Sequence, residues 1–365
     1  MIEQSLIAKP LTVFVAGLFT LSVSAAGARL ASQSRALIDN PNERSSHTGA
    51  VSRAGGVSIL AGWLAGLFVL ISFGGVDGRS TLLILAALGV LAAGVGFLDD
   101  RLNLSAPAKF AGQALVAVLF VFFVGGLETA PMPLAGLTEL GAWGAAISMI
   151  WIIGFMNAFN FMDGVNGIAG GCAAVGLVFF AVIAALSGAP VSAAAAMMMA
   201  AAAFGFLPEN LMRGRLFMGD GGSHLIAFAI AALSVLASNE SGARVSALAG
   251  PVIFLPFIFD VAWTLTHRLI RRRNVLTAHR EHLYQLILRM GASHASVAGV
   301  YVGMTAYCAA AAIFMLTAPP RWHWVSPGLI IVIFYGVALK IFREADRRGL
   351  LATGRQTVDG SAETL

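Results

Sequence analysis

Eleven stretches of this 365-residue chain run for about 20 residues with almost no charge, and that repetition limits the fold more than any single motif does. They centre near residues 17, 64, 89, 117, 151, 176, 199, 229, 255, 304 and 334. A helix of that length spans the roughly 30 Å hydrocarbon core of a bilayer. Lipid offers backbone polar groups no partner, so each segment must satisfy its own. The expectation is an all-α polytopic membrane protein, a bundle of about eleven transmembrane helices. Composition agrees, with 58% hydrophobic and 11% charged residues against roughly 25% charged in soluble domains.

Charge sets the orientation. Short cytoplasmic loops collect Lys and Arg. With the N-terminus outside and eleven crossings, 19 of the 23 Lys and Arg fall inside, and only Lys9, Arg79, Arg244 and Arg321 remain outside. The C-terminus is then cytoplasmic, in a bacterial inner membrane. Lys9, the apolar run after it and the small residues of SAAGA have the look of a signal peptide. Cleavage there would put the Arg-rich segment 29–53 on the wrong side, so the segment reads as a retained helix. The net charge of +5 is this topological bias plus attraction to anionic lipid, not a nucleic-acid signal. Cys172 and Cys308 fall within spans and read as buried, inert thiols. The chain divides into one membrane domain, 1–342, and a cytoplasmic tail, 343–365. The outside loops look featureless, the longest being ETAPMPLAGLTELGAW from Glu128. The Ala-rich VSAAAAMMMAAAAFGF reads as a closely packed span.

Ionisable groups near a membrane boundary are costly and mark function by default. Asp99 and Asp100 end the third span, Asp163 ends the fifth, and Asp220 precedes the eighth. All four reach the cytoplasmic face from three distant segments. Asp260, inside the ninth span, is either a structural hydrogen-bonding group or part of the cavity wall. Cations meet the carboxylates there: Arg44, His47 and Arg53 from the first loop, and His279, Arg280 and His282 from the loop after the ninth span. If that loop is helical, the two imidazoles point the same way. Such a mixture suits a divalent metal and phosphate groups. Gly219, Gly221 and Gly222 flank Asp220 at a helix start, which fits either close approach of a phosphate to backbone donors or ordinary capping by Asp220 or Ser223. In NAFNFMDGVNGIAGG, three-residue steps place Asn157, Asn160 and Asp163 on one helix face, while Asn166 drifts towards its flank.

With PNERSSHTGAVSRAGG, DDRLNLSAPAKF, NAFNFMDGVNGIAGG, RLFMGDGGS and AHREHLYQ in that order from residue 41 to 285, the chain resembles the polyprenyl-phosphate N-acetylhexosamine-1-phosphate transferases, glycosyltransferase family 4. These are relatives of phospho-N-acetylmuramoyl-pentapeptide transferase. The resemblance implies ten or eleven helices, a cytoplasmic active site, and transfer of a sugar 1-phosphate from a UDP-sugar to undecaprenyl phosphate with release of UMP. It implies Mg2+, with Mn2+ as a substitute, held by Asp220 with Asn160 nearby. It makes Asp99, Asp100 and Asp163 the catalytic carboxylates. The substrate-binding set is Lys109, Asn157, Arg215, His279, Arg280 and His282, with Arg44, His47 and Arg53 from the first loop. AHREHLYQ looks most like the branch that starts O-antigen or similar surface polysaccharides, and relatives are often homodimers.

The residues leave the proton acceptor open, because a phosphate with a second pKa near 6 is already mostly dianionic at neutral pH. Direct attack and a covalent enzyme intermediate both remain open. Asn166 departs from the acidic residue that many relatives carry there. A transporter or flippase is the rival reading, but it expects charge at the midplane and repeated halves. A third reading is an inactive scaffold of the same fold.

Overall fold

The structure is a computed structural model that describes residues 10–34, 38–39, 51–74, 78–240, 244–275 and 279–351. The helices in chain order are α1 (Pro10–Gln33), α2 (Gly55–Phe73), α3 (Arg79–Leu102), α4 (Ala106–Val124), α5 (Ala142–Met162), α6 (Ile168–Leu186), α7 (Pro190–Leu207), α8 (Gly219–Asn239), α9 (Ala249–Ile253), α10 (Leu255–Ile270), α11 (Leu283–Arg289), α12 (His294–Ile313) and α13 (Val325–Arg347). Ten helical segments among the described residues are long and apolar enough to cross a membrane, and the protein is an all-α polytopic membrane protein.

The ninth expected span, near residue 255, is broken. Phe254 leaves helical geometry at φ −97°, ψ 19°, and Pro256 follows it, where a ring without an N–H disrupts a continuous helix. Neither α9 nor α10 alone has bilayer length, but together they cover residues 249–270, about 33 Å of helix. Side-chain ties locate their two ends. Just before α9, His323 Nδ1 lies 2.9 Å from Ser246 Oγ. Trp324 next to it donates to the Pro131 carbonyl at 2.6 Å, and Asn239 at the end of α8 donates to the Gly126 carbonyl at 2.7 Å. Those residues share one face. At the other face the ring of His267, near the end of α10, packs on Phe342 of α13 at 4.5 Å between centroids, and Arg348, after α13, donates to the carbonyl of Met290, after α11. The broken helix therefore joins the same two faces as its neighbours.

Two local features depart from the sequence expectations. The segment after Glu128 forms an antiparallel hairpin, β3 (Thr129–Met132) with β4 (Gly136–Glu139), following a two-residue pair, β1 (Ile38–Asp39) with β2 (Val51–Ser52). The last helix runs to Arg347, past the expected boundary at 342.

The core is centred on α8, whose most apolar window is 89% buried, with the Ala-rich α7 segment at 78%. α8 packs against α2, α3, α5 and α7. A Cβ on Gly56 would collide with the backbone of Gly222, and one on Gly96 would collide with the backbone of Asp220. Small residues let these helices meet nearly backbone to backbone, and this close approach fixes where Asp220 sits.

Candidate active site

α3 ends because Asn103 adopts a left-handed conformation, φ 49°, while its N–H still bonds the Asp99 carbonyl; Asn tolerates that geometry better than most residues. The Asp99 carboxylate closes the turn by accepting from Leu104 N at 3.0 Å. Pro107 then lies in the first turn of α4, two residues before Lys109. Folding the chain back in this way sets Lys109 Nζ in ion pairs with both Asp99 and Asp220, the second at 2.9 Å. Two carboxylates from two other helices thus share one ammonium.

Asp100 faces the start of α8, where its carboxylate accepts from Gly221 N at 3.1 Å. Arg53 Nη1 lies 3.9 Å from its other oxygen. Arg53 is brought there by a backbone zipper between the two loops: Phe217 N donates to Ser52 O at 2.8 Å, and Gly55 N and Gly56 N donate to Phe217 O and Met218 O at 3.0 and 2.8 Å. The glycines around Asp220 consequently serve the fold. Gly221 gives its N–H to Asp100 and packs on Phe97, and Gly222 abuts Gly56. Gly219 takes φ +71°, which favours glycine.

Asn160 donates to Ser223 Oγ at 2.9 Å and also meets the Asp220 carboxylate. Asp163 terminates α5, its N–H bonded to the Asn160 carbonyl at 3.2 Å. Its half-buried carboxylate has no hydrogen-bond partner among the described residues. Burial, together with the negative charges of Asp220 and Asp100, pushes that carboxyl well above the usual carboxylate range, against the pull of Arg53.

The other expected site residues spread around this cluster. Asn157 lies one turn below, bonded to Gln113 and to the Ile153 carbonyl. Arg215 is exposed in the loop before α8, its N–H bonded to the Glu209 carbonyl. Arg44 and His47 lie outside the described residues. The basic loop is not helical at 279–282; α11 starts only at Leu283. The imidazoles of His279 and His282 nevertheless stack, with centroids 5.0 Å apart. His282 is buried, its Nδ1 3.2 Å from Asp260, so it faces inward rather than this cluster. Arg280 is exposed, and Arg289 binds its carbonyl.

Asp260 resolves as a structural hub. Fully buried, it accepts from Leu283 N at 2.9 Å, Tyr284 N at 3.2 Å and the Tyr301 hydroxyl at 2.5 Å. It thereby pins the start of α11. Tyr284 in turn donates to the Phe161 carbonyl at 3.0 Å and packs on Gly164 beside Asp163. Burial, then the charges of Asp260 and Asp163, push its hydroxyl above the usual range, which keeps it a donor. Sequence reading missed Tyr284, Gln113 and His224, and took Ser223 only as a possible cap. A signal was present for two of them, since Gln113 and His224 each follow a predicted site residue by four positions, one helical turn.

The donor set fits a magnesium ion. No three His, Cys, Asp or Glu side chains among the described residues converge enough to cage a metal alone. Magnesium needs only one or two carboxylates, keeping its other positions for water and substrate phosphates. Asp163, a carboxylate without a partner facing two others, is the group such an ion would neutralise.

Fold and site define a polytopic membrane protein with a cluster of carboxylates and a lysine where α3, α4, α5 and α8 meet. The sequence pattern of glycosyl transferase family 4 matches residues 82–238, which takes in Asp99, Asp100, Lys109, Asp163 and Asp220. The chain is 30% identical over 340 residues to a decaprenyl-phosphate N-acetylglucosaminephosphotransferase of Mycobacterium tuberculosis, covering 84% of this chain and 82% of that one. It is 28% identical over 306 residues to a probable undecaprenyl-phosphate N-acetylglucosaminyl 1-phosphate transferase of Bacillus subtilis, covering 83% and 84%. It is also 28% identical over 327 residues, 86% of each chain, to an undecaprenyl-phosphate alpha-N-acetylglucosaminyl 1-phosphate transferase of Escherichia coli. The chain belongs to glycosyl transferase family 4.

Proposed function

We propose that this protein transfers an N-acetylhexosamine 1-phosphate group from a UDP-sugar to a polyprenyl phosphate at the cytoplasmic face of a bacterial membrane. The observation that carries the reading is Lys109 shared between Asp99 and Asp220, with the partnerless Asp163 at the same boundary. The names of the similar proteins support the reaction class, and the placing of 19 of 23 cations supports the face.

An oxygen of the lipid phosphate attacks the sugar-bearing phosphorus of the donor. A new P–O bond forms as the bond to the UMP oxygen breaks, and UMP leaves with the electron pair. Several negative charges meet, so positioning and neutralisation dominate the catalysis. Lys109 exchanges a carboxylate for an incoming phosphate, and Arg53 supplies a fork of donors at the rim. Asp220, Asp163 and the Asn160 amide would hold Mg2+, which supplies charge neutralisation for the phosphates. The lipid phosphate is largely dianionic at neutral pH, so Asp99 need not take a proton and serves to hold Lys109 in place. UDP-N-acetylglucosamine is the first donor to try, and AHREHLYQ favours a role at the start of O-antigen or a similar polysaccharide.

The experiment combines purified protein, undecaprenyl phosphate, Mg2+ and a panel of radiolabelled UDP-N-acetylhexosamines. A lipid-linked labelled product with stoichiometric UMP is expected from at least one donor. Absence of UMP and lipid product with every donor overturns the reading.

A further inference from the structure

α4 and α8 both start at the site face, and three contacts join them like rungs. Lys109 pairs with Asp220 at the top. One turn below, Gln113 Nε2 lies 3.0 Å from His224 Nε2. Further down, the rings of Phe120 and Phe228 meet edge to face at 6.2 Å. The middle rung extends to a third helix, because Asn157 Nδ2 on α5 donates to Gln113 Oε1 at 2.7 Å. Gln113 and His224 are buried, at 1% and 0% exposure.

The hydrogen bonds of this rung have a forced direction. His224 Nδ1 lies 2.8 Å from the Asp220 backbone carbonyl, an acceptor, so Nδ1 carries the proton. The Gln113 carbonyl oxygen is taken by Asn157, so its amide donates to His224 Nε2. The chain of donors therefore runs from Asn157 to Gln113 to His224 to the backbone of Asp220. It joins one residue on each of the helices that present Asn160, Lys109 and Asp220. When a phosphate draws Lys109 away from Asp220, the top rung opens. The bottom rung is an edge-to-face aromatic pair, which packs with a preferred geometry but carries no hydrogen bond.

Building on the proposed function, we propose that Gln113 and His224 are positioning residues: their hydrogen-bonded rung holds α4, α5 and α8 in register while the Lys109–Asp220 pair is open, so that the two side chains stay beside one another and re-pair after each turnover. The decisive variant is the double replacement Gln113→Leu with His224→Leu. It removes both members of the Gln113–His224 pair together, a change that is often near neutral for stability, and Asn157, which loses its two bonds with Gln113, keeps its bond to the Ile153 carbonyl at 2.8 Å. Wild type and variant are compared in detergent by thermal unfolding, by turnover, and by the rate at which an amine-reactive ester labels Lys109, read by mass spectrometry. The expected result is a similar melting temperature, kcat lowered about tenfold, as for supporting residues around a metal site, a smaller change in KM for the UDP-sugar, and several-fold faster labelling of Lys109. Unchanged turnover and unchanged labelling, with or without a lower melting temperature, make the rung ordinary core and overturn the proposal. The labelling rate needs neither substrate nor metal, so if wild type turns over no donor, the functional reading fails while the labelling still decides the rung.

Discussion

Asp163 carries the sharpest conflict at the scale of single residues. It is a half-buried carboxylate facing two others with no hydrogen-bond donor among the described residues, and its carboxyl is pushed well above the usual range. A raised native pKa means that the folded chain keeps a proton the unfolded chain has released. Its contribution to stability therefore falls as pH rises from the unfolded carboxylate range through the folded value. Asp163→Asn removes that penalty, so without added divalent ion the variant should gain more in melting temperature at pH 8 than at pH 5 over wild type. Its turnover should fall on the order of 100-fold or more, as when a charge-stabilising group is lost. Asn166 sits apart, its amide beside the loop at Gly214. Asn166→Asp should retain turnover in the same assay, and equal loss in both variants would remove the distinction between them.

At the scale of elements, two contacts decide where the site's helices stand. Gly96 on α3 meets the backbone of Asp220 on α8, whereas Gly94 has open space where a Cβ would go. Gly96→Ala should destabilise the fold by about 1–3 kcal/mol, as overpacking does, and lower kcat by displacing Asp220. Gly94→Ala on the same helix should do neither, and thermal unfolding with turnover on both variants checks the pair. Asp260 plays the corresponding role for α11. Asp260→Ala strands two backbone N–H groups and the Tyr301 hydroxyl in a buried place, which should lower stability by about 3–5 kcal/mol and free residues 279–284 to proteolysis. Of the two roles the sequence leaves open for Asp260, a structural hydrogen-bonding group or part of the cavity wall, its donors select the first.

At the scale of the whole molecule, the broken α9–α10 segment preserves the parity of eleven crossings. A periplasm-active reporter fused at the N-terminus and a cytoplasm-active one at the C-terminus should therefore both report activity; two ends on the same side would contradict the orientation. The sequence by itself determined the membrane class, the all-α architecture and the acidic segments at one boundary. Uncharged length and loop cations are local properties that a bilayer reads directly. Asp99 and Asp220 were legible as members of one site because each sits at the end of a span, and Lys109 through the family resemblance of its motif. The tertiary structure alone decided what each side chain touches. It turned His282 inward to Asp260, spent the Gly221 N–H on Asp100 rather than on a phosphate, and recruited Gln113 and His224. Those outcomes depend on how closely α2, α3, α4, α5 and α8 approach. That distance is set by packing between residues far apart in sequence, which no local spacing encodes.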